Sequence, residues 1–589
     1  MAGEVDPPIP PDYDQIKDWR SILTLIVFVL ANIVVLFPFH IPIYVPRIFY
    51  NGFLHVLSAL RVIPPREPDG SRNTDKASAF VRLRFSMNIV TAPLIADLFL
   101  LATRSIGRQE VYEGVVGANH ISPLDIMIFF ITLAYIAISI DASGLIRFLA
   151  FKVLQWGGKV GHRLFFYLYV FFFGLGTFVG NDPIILSGTA FLAYMTRVSS
   201  NIVHPRAWIF TQFAVANIAS AILVSSNPTN LVLAGAFQIR FIDYTANMIV
   251  PVIITAIILF PFLLYIVFAS ESLIPLSIKM HELPEEARSR KPVNPNIPNA
   301  RGTAEQKEDA PGEAGQLLSL EEIMNPFVDK GGAAFGAVIM AVTLIAVLAL
   351  NAAKQEIGEK PVYYVTLPAA GIMFIWDMGF GWVNRRETRE IARKGRDELE
   401  RIQLERALRE EEEKSIPALQ ERSPSSDVSG SEQPSLPDGQ LGLRKTAVGN
   451  GSTDDEITVT GNTSEKSPTQ EVGETESSRE KTAGTKPCPQ NQRPRQRTTL
   501  VSLAKDLFLW AQETFPTAMA VMSHLPFALV PFAFSMFVLV QALVTKGWVQ
   551  VFAKGWEEWT KKTGTVGAIG GMGFISVVLC NVSSVPDIS

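Results

Sequence analysis

Two polar stretches interrupt long apolar runs in this chain. The first is Gly180-Asn181-Asp182-Pro183, followed by Ser187, Gly188 and Thr189. The second is Ser225-Ser226-Asn227-Pro228-Thr229-Asn230, preceded by Asn217 and Ser220. Proline lacks an N–H and disturbs the residue before it, so each stretch frees backbone carbonyls. Serine, threonine and asparagine oxygens sit beside those carbonyls. Together they are hard ligands for a small cation, with Na+ expected at Asn181, Asp182, Ser226 and Asn227. The helices that start at Pro183 and Pro228 offer positive dipole ends to an anion. Cation and anion sites at adjoining breaks are what a coupled carrier needs. Each stretch also has a plainer reading. Asp182 either pairs, binds a cation or carries a proton at membrane depth, or it caps a helix at a break nearer the surface. Residues 225–230 either line a polar cavity or form a kinked loop between helices.

Other ionisable residues are weaker signals. Asp97, in TAPLIADLFLLATR, is expected to pair with a neighbour inside a helix bundle. Asp125 and Asp141 bracket one apolar run and Asp377 lies near the end of another, which places all three at an interface. His524, beside Pro526, reads as a hydrogen-bonded structural histidine before a functional one. Cys580 reads as a small buried residue. No HxxxH or HExxH spacing marks a zinc site, and no GxxxxGK[ST] marks an ATP motor. No nucleophile–base constellation supports an enzyme, and no cofactor is implied. The driving force is then an ion gradient.

Holding such residues in a bilayer demands long apolar helices. The 589 residues are 48% hydrophobic and only 18% charged, with a net charge of −4 and two cysteines, Cys488 and Cys580. Soluble chains carry roughly a quarter charged residues. These values exclude a disordered protein, a basic nucleic-acid binder and a disulfide scaffold. What remains is an all-α polytopic protein, embedded in the lipid bilayer of a plasma or vacuolar membrane. A span needs roughly 20 apolar residues. Candidates are 21–39, 85–103, 121–140, 164–179, 207–224, 245–268, 331–350, 362–382, 517–544 and 565–580. The stretch 41–62, which carries Arg47, His55 and Arg61, either spans or lies in the interface. The count is nine to eleven spans. No small-residue cleavage site follows 21–39, so it reads as a membrane helix and not a removed signal.

Charge placement orders these spans. Arg61, Arg66, Arg72, Lys76, Arg82 and Arg84 put the loop between the second and third segments in the cytosol. The loops bearing Lys159 and Arg163, Arg197 and Arg206, and the gap 270–330, then share that side on one condition. Residues 164–195 must enter and return as a re-entrant hairpin. The expected domains are 1–84 (tail, first helix and interfacial segment), 85–268 (first transporter repeat) and 269–330 (cytosolic linker). A membrane hairpin at 331–383 opens the second half, 384–499 is a polar insert, and 500–589 is a partial second repeat. The insert begins as a solvated charged helix and turns into a Ser/Thr/Pro/Gly/Glu-rich disordered stretch.

In each half a Pro-bearing span precedes a Gly-rich apolar run ending in Asn: FFFGLGTFVGNDP at Asn181 and GAIGGMGFISVVLCN at Asn581. Interrupted apolar segments at matching places in two halves point to a transporter binding site. The segments GTFVGNDPIILSGTAFLAYMTR and AVANIASAILVSSNPTNLVLAGAF resemble the ion transporter superfamily. That group includes citrate-transporter-like permeases, arsenite permeases of the ArsB type and NhaD-type sodium/proton antiporters. The wording is most similar to fungal citrate-transporter-like proteins. The resemblance implies an inverted-repeat fold, each repeat having a re-entrant hairpin and a later broken helix. Gly180, Asn181 and Asp182 match the first hairpin tip. Ser225, Ser226, Asn227, Pro228, Thr229 and Asn230 match the first broken helix, and Asn581 the second tip. The Asn-Asp pair is more similar to the arsenite-permease version than to the Ser-Asn-Thr version of dicarboxylate carriers, which weighs against citrate itself and favours proton coupling over sodium.

The expected function is ion-coupled secondary transport of a small anion, a carboxylate or an inorganic, arsenite-like solute, with H+ or Na+. A homodimer is left open. A sodium/proton antiporter and a non-transporting membrane sensor are the competing readings. The family pattern continues beyond Asn581, whereas this chain ends VSSVPDIS. The second repeat is therefore expected to be truncated and transport weak or absent.

Overall fold

In the computed structural model the described residues are 16–64, 80–118, 121–199, 201–202, 204–279, 291–300, 325–352, 361–420 and 499–582. Most of the charged insert, from 421 to 498, lies outside them. The chain divides into two units, Met1–Leu404 with Thr498–Ser589, and Glu405–Arg497. The described part of the second unit is helical backbone, 405–420.

The structure is mostly helical with almost no sheet, and the chain is a multi-pass integral membrane protein. Six described helices or helix pairs are long and apolar enough to cross a bilayer: Trp19–Leu36, Pro123–Ala142, Gly161–Val179, Phe241–Val267, Lys330–Leu350 and Pro516–Thr545. Several of the remaining expected spans are shorter or broken. Residues 85–103 hold only a 12-residue helix, Thr91–Ala102. At about 1.5 Å per residue it falls well short of a roughly 30 Å hydrocarbon core.

Helix α1 (Trp19–Leu36) leads into a two-stranded antiparallel ribbon that the hydropathy reading missed. Strand β1 is Phe39–Pro46, helix α2 is Arg47–Ala59 and strand β2 is Phe80–Met87. The register pairs Ile41 with Phe85, Ile43 with Leu83 and Val45 with Val81, so one face is apolar. Pro42 opposite Arg84 and Tyr44 opposite Arg82 form the other face. This is a period of two, and a sum of hydropathy over a window cannot distinguish it from a helical run. The stretch 41–62 is thus a strand and a short helix with no buried residue, not a span.

The rest of the chain is helical: α3 (Thr91–Ala102), α4 (Arg108–Val115), α5 (Pro123–Ala142), α6 (Leu145–Gly157), α7 (Gly161–Val179), α8 (Asn181–Val198), α9 (Arg206–Ala219), α10 (Pro228–Ala236) and α11 (Phe241–Phe262). After the linker come α12 (Lys330–Ala352), α13 (Tyr363–Gln420), α14 (Leu500–Thr514), α15 (Pro516–His524), α16 (Leu529–Thr545) and α17 (Trp548–Val582). Helix α17 is interrupted at Gly564, whose φ of 66° is left-handed.

Helices α7 and α8 form the expected hairpin, and backbone bonds show that it returns on itself. At its entry, Gly161 N donates to Leu276 O at 3.0 Å and Ile278 N to Lys159 O at 2.8 Å. At its exit, the Asn201 side chain bonds Ser277 O and accepts from Lys279 N. One segment, 276–279, therefore ties both ends together. That places the loops at 159–163 and 201 beside the linker that follows α11, as charge placement requires.

Apolar packing forms three cores. Phe165, Phe172, Leu192, Trp208 and Leu264 knit α6–α9 to the end of α11. Phe129, Ile136, Leu231, Met340, Met373 and Val521 surround α5. Val27, Leu100, Leu539 and Ala542 join α1, α3 and α16. The charged start of the insert is not simply a solvated face. Arg396 pairs with Glu513 on α14 at 2.7 Å, and Arg389 donates to Thr514 Oγ1 at 2.7 Å.

Candidate functional site

The hairpin turns on a single residue. Gly180 has φ 96° and ψ 168°, a conformation that glycine adopts without penalty. A Cβ there would lie 3.0 Å from Ser226 O, so the second break packs directly against the hairpin tip. Pro183 falls in the first turn of α8, where its missing N–H has no helical partner to lose. The second break separates α9 from α10 through a short 3-10 turn, Val224–Ser226. Pro228 sits at the first position of α10, and Asn227 caps that helix by accepting from Thr229 N at 3.0 Å.

Side chains fasten the breaks to one another. Asn181 Nδ2 donates to Asn217 Oδ1 on α9 at 3.1 Å. Ser226 Oγ donates to Thr177 O, a carbonyl near the end of α7. Asn230 is buried and donates to Ser220 O at 2.8 Å and Leu223 O at 2.9 Å. Leu223 O also accepts from Ser226 N at 3.2 Å, whereas Ser220 O, left by the break, would be costly unpaired in an apolar interior.

Between the breaks lies a cavity of about 240 Å³. Gly180, Asn181 and Pro183 line it from the hairpin, and Ser225, Ser226 and Asn227 from the broken helix. A stripe of α5 closes the far wall with Phe129, Phe130, Leu133, Ala134, Ala137 and Ile138. Val179 and Leu186 add apolar surface, and His524 and Pro526 enter from a third break, between α15 and α16. The N-termini of α8 and α10 and the C-termini of α7 and α15 thus all border one small space. It offers N–H groups to an anion and carbonyls to a cation.

With that geometry in view, the comparison with known families is decisive. The family model described as "Citrate transporter" (CitMHS) matches residues 77–586. The chain belongs to the citrate transporter family. An arsenical pump membrane protein of Escherichia coli is 29% identical over 163 residues, covering 28% of this chain and 37% of that protein. One of Yersinia enterocolitica is 26% identical over 165 residues, covering 27% and 37%. The chain thus spans little more than a third of the length of these relatives.

In this member of the citrate transporter family, the polar residues singled out in the sequence divide into two sets. Gly180, Asn181, Ser225, Ser226 and Asn227 border the cavity, with Asn217 bonded behind Asn181. Thr189, Asn230 and Thr229 do not border it. Thr189 Oγ1 bonds Gln212 Oε1 at 3.1 Å and holds α8 to α9, while Thr229 and Asn230 serve the break itself. Ser187 faces Asp141 across the α5–α8 contact. Neither Ser187 Oγ nor Asp141 Oδ1 closes a hydrogen bond of normal geometry among the described residues. Asp182 heads α8 and Asn581 lies near the end of α17, and both side chains fall outside what the structure describes.

Two acidic residues expected near span ends turn inward. Asp377 is 4% exposed, inside the packing of α13 on α5. Its Oδ2 accepts from Tyr135 Oη at 2.9 Å and Ser139 Oγ at 2.8 Å. Asp141 also turns an oxygen into the protein interior. Asp97, buried on α3 within reach of Ser535 on α16, has the bundle neighbour expected of it. The run 517–544 reads in sequence as one continuous span, whereas the structure breaks it at Leu525. The local signal is Pro526, which disfavours helical backbone at the residue before it. The aromatic wall on α5 carried no signal, because Phe129 and Phe130 resemble any other buried apolar residues.

Proposed function

We propose that this chain is an ion-coupled secondary carrier of a small anion, a carboxylate or an inorganic arsenite-like solute, driven by a proton or sodium gradient. The observation that carries this reading is the meeting of two unwound helix segments at one cavity. Unwound backbone at membrane depth persists where it lines a polar space, and carriers place solute and coupling ion there. At about 240 Å³ the cavity is smaller than the roughly 300–1,000 Å³ of drug-sized pockets, which suits a compact solute. Asn181, Ser225, Ser226 and Asn227 supply its polar contacts, with Asp182 and Asn217 adjoining. The coupling ion takes carbonyl and side-chain oxygens at the breaks, and the anion takes the N-termini of α8 and α10. The family description names citrate, and the relatives' names point to arsenicals. Both are compact, oxygen-rich solutes.

The test uses the full chain, purified and reconstituted in vesicles. Citrate and arsenite are offered with an imposed proton or sodium gradient, and binding is measured separately in detergent. Binding and gradient-dependent flux of one solute are expected, with Asn181→Ala and Asn227→Ala each lowering affinity about tenfold, the cost of one polar contact to a charged group. Unchanged binding and flux in both variants would remove the cavity from the mechanism. A sodium-driven pH change with no anion present would establish the antiporter instead.

A further inference from the structure

His524 is the ionisable side chain among the described residues that line the cavity, and the carrier reading above assigns it no role. It ends α15, at the third break. Its Nδ1 lies 2.7 Å from Ala520 O, and Ser523 Oγ donates to the same oxygen at 2.8 Å. A carbonyl oxygen only accepts, so Nδ1 carries the hydrogen. In the neutral ring Nε2 therefore holds the lone pair and is the nitrogen that takes a proton. The C-terminal carbonyls of α15 favour a cation at that position.

The surrounding charges allow a cation to form there. Asp141 on α5 lies within electrostatic reach of His524 and also of Arg147 on α6. On α14, the other element packed against α15, Glu513 is already paired with Arg396. Asp377 on α13 is bonded by Tyr135 and Ser139, and Asp182 heads α8 across the cavity. The cavity walls are otherwise apolar or neutral. A proton on His524 thus adds one positive charge to the described lining of the cavity.

We propose that His524 is the group through which proton and anion are coupled. Nε2 takes a proton from the aqueous side, the imidazolium receives the anionic solute, and loss of the proton releases it. No covalent bond to the solute forms, and the proton returns to water on the opposite side. This rests on the carrier reading and adds the residue and the ion.

The experiment is titration calorimetry of the full chain in detergent, with citrate and inorganic phosphate as probes. It is run near about pH 5.5 and about pH 8, in buffers of different ionisation enthalpy. Wild type is compared with His524→Gln and His524→Ala, so that misfolding of one variant does not decide the outcome. Both probes titrate in this range themselves, and the variants retain that contribution, so the difference from wild type is the readout. At the lower pH wild type is expected to bind about tenfold more tightly than either variant, with the values converging at the higher pH. Near neutrality wild type is expected to take up about one proton more per bound anion than the variants. Variants that match wild type in both affinity and proton uptake would overturn the role of His524 while leaving the carrier intact. Failure of wild type to bind citrate, phosphate or arsenite at either pH would overturn the carrier reading itself.

Discussion

At the scale of single residues, most of the polar side chains near the breaks hold backbone in place, and a few border the cavity. Asn230 shows the first role. Its amide donates to Ser220 O and to Leu223 O, which also accepts from Ser226 N. Asn230→Ala removes the side-chain donor from Ser220 O, and a buried unpaired carbonyl costs about 1–3 kcal/mol. The variant is expected to melt at a lower temperature in detergent while retaining its contacts around Asn181 and Asn227. Thermal unfolding of wild type and variant side by side measures this. Asn227 shows the second role. Its Oδ1 is occupied in capping α10, but the residue still borders the cavity. Asp377, away from the breaks, joins side chain to side chain. Two hydroxyl donors satisfy it inside the protein, and it fastens α13 to α5.

At the scale of elements, the hairpin depends on close approach of α7, α8 and α9. Gly188 makes that approach possible: a Cβ there would lie 2.4 Å from Gln212 Nε2 and 2.8 Å from the Phe172 ring. Gln212 uses the space to donate to Ile184 O and, through Oε1, to accept from Thr189. Gly174, one helix earlier, has nothing within 4 Å of the same added atom. Gly188→Ala is therefore expected to destabilise by about 1–3 kcal/mol through overpacking. Gly174→Ala is expected to be neutral or to stabilise by up to about 1 kcal/mol, because alanine loses less backbone freedom in a helix. Denaturation of the two variants under one condition tests the contrast, and equal effects would mean that α8 and α9 do not meet as described. The aromatic contacts of Phe165 with Trp208 at 5.4 Å and of Tyr169 with Phe260 at 5.2 Å add to the same packing.

At the scale of the whole molecule, every described cavity residue belongs to the unit Met1–Leu404 with Thr498–Ser589. No described residue of the unit Glu405–Arg497 lines it. Excision of residues 421–497 is therefore expected to leave solute affinity unchanged within about a factor of two, since surface changes away from a site are worth under about 0.5 kcal/mol. Binding measurements on the shortened chain check this, and a tenfold loss would place part of the solute site in the insert. His524 and Pro526 also line the cavity, so residues 85–268 alone do not enclose it.

Hydropathy, proline and glycine placement and charge asymmetry are local properties of a chain, and they were enough for the membrane class, the two early breaks and the returning hairpin. A bilayer imposes those features on the sequence because no water is present to satisfy a misplaced polar group. The β1–β2 ribbon escaped because its alternation is hidden by high mean hydropathy, and the third break because a single apolar run concealed it. Only the tertiary structure decided which polar residues serve backbone and which face open space. Thr189, Asn230 and Asn181 look alike in a sequence. Their roles differ because packing brings Gln212, the carbonyls of Ser220 and Leu223, and the cavity, respectively, to each of them. Those partners come from other helices or from across a break, and no local pattern in the chain specifies where they will lie.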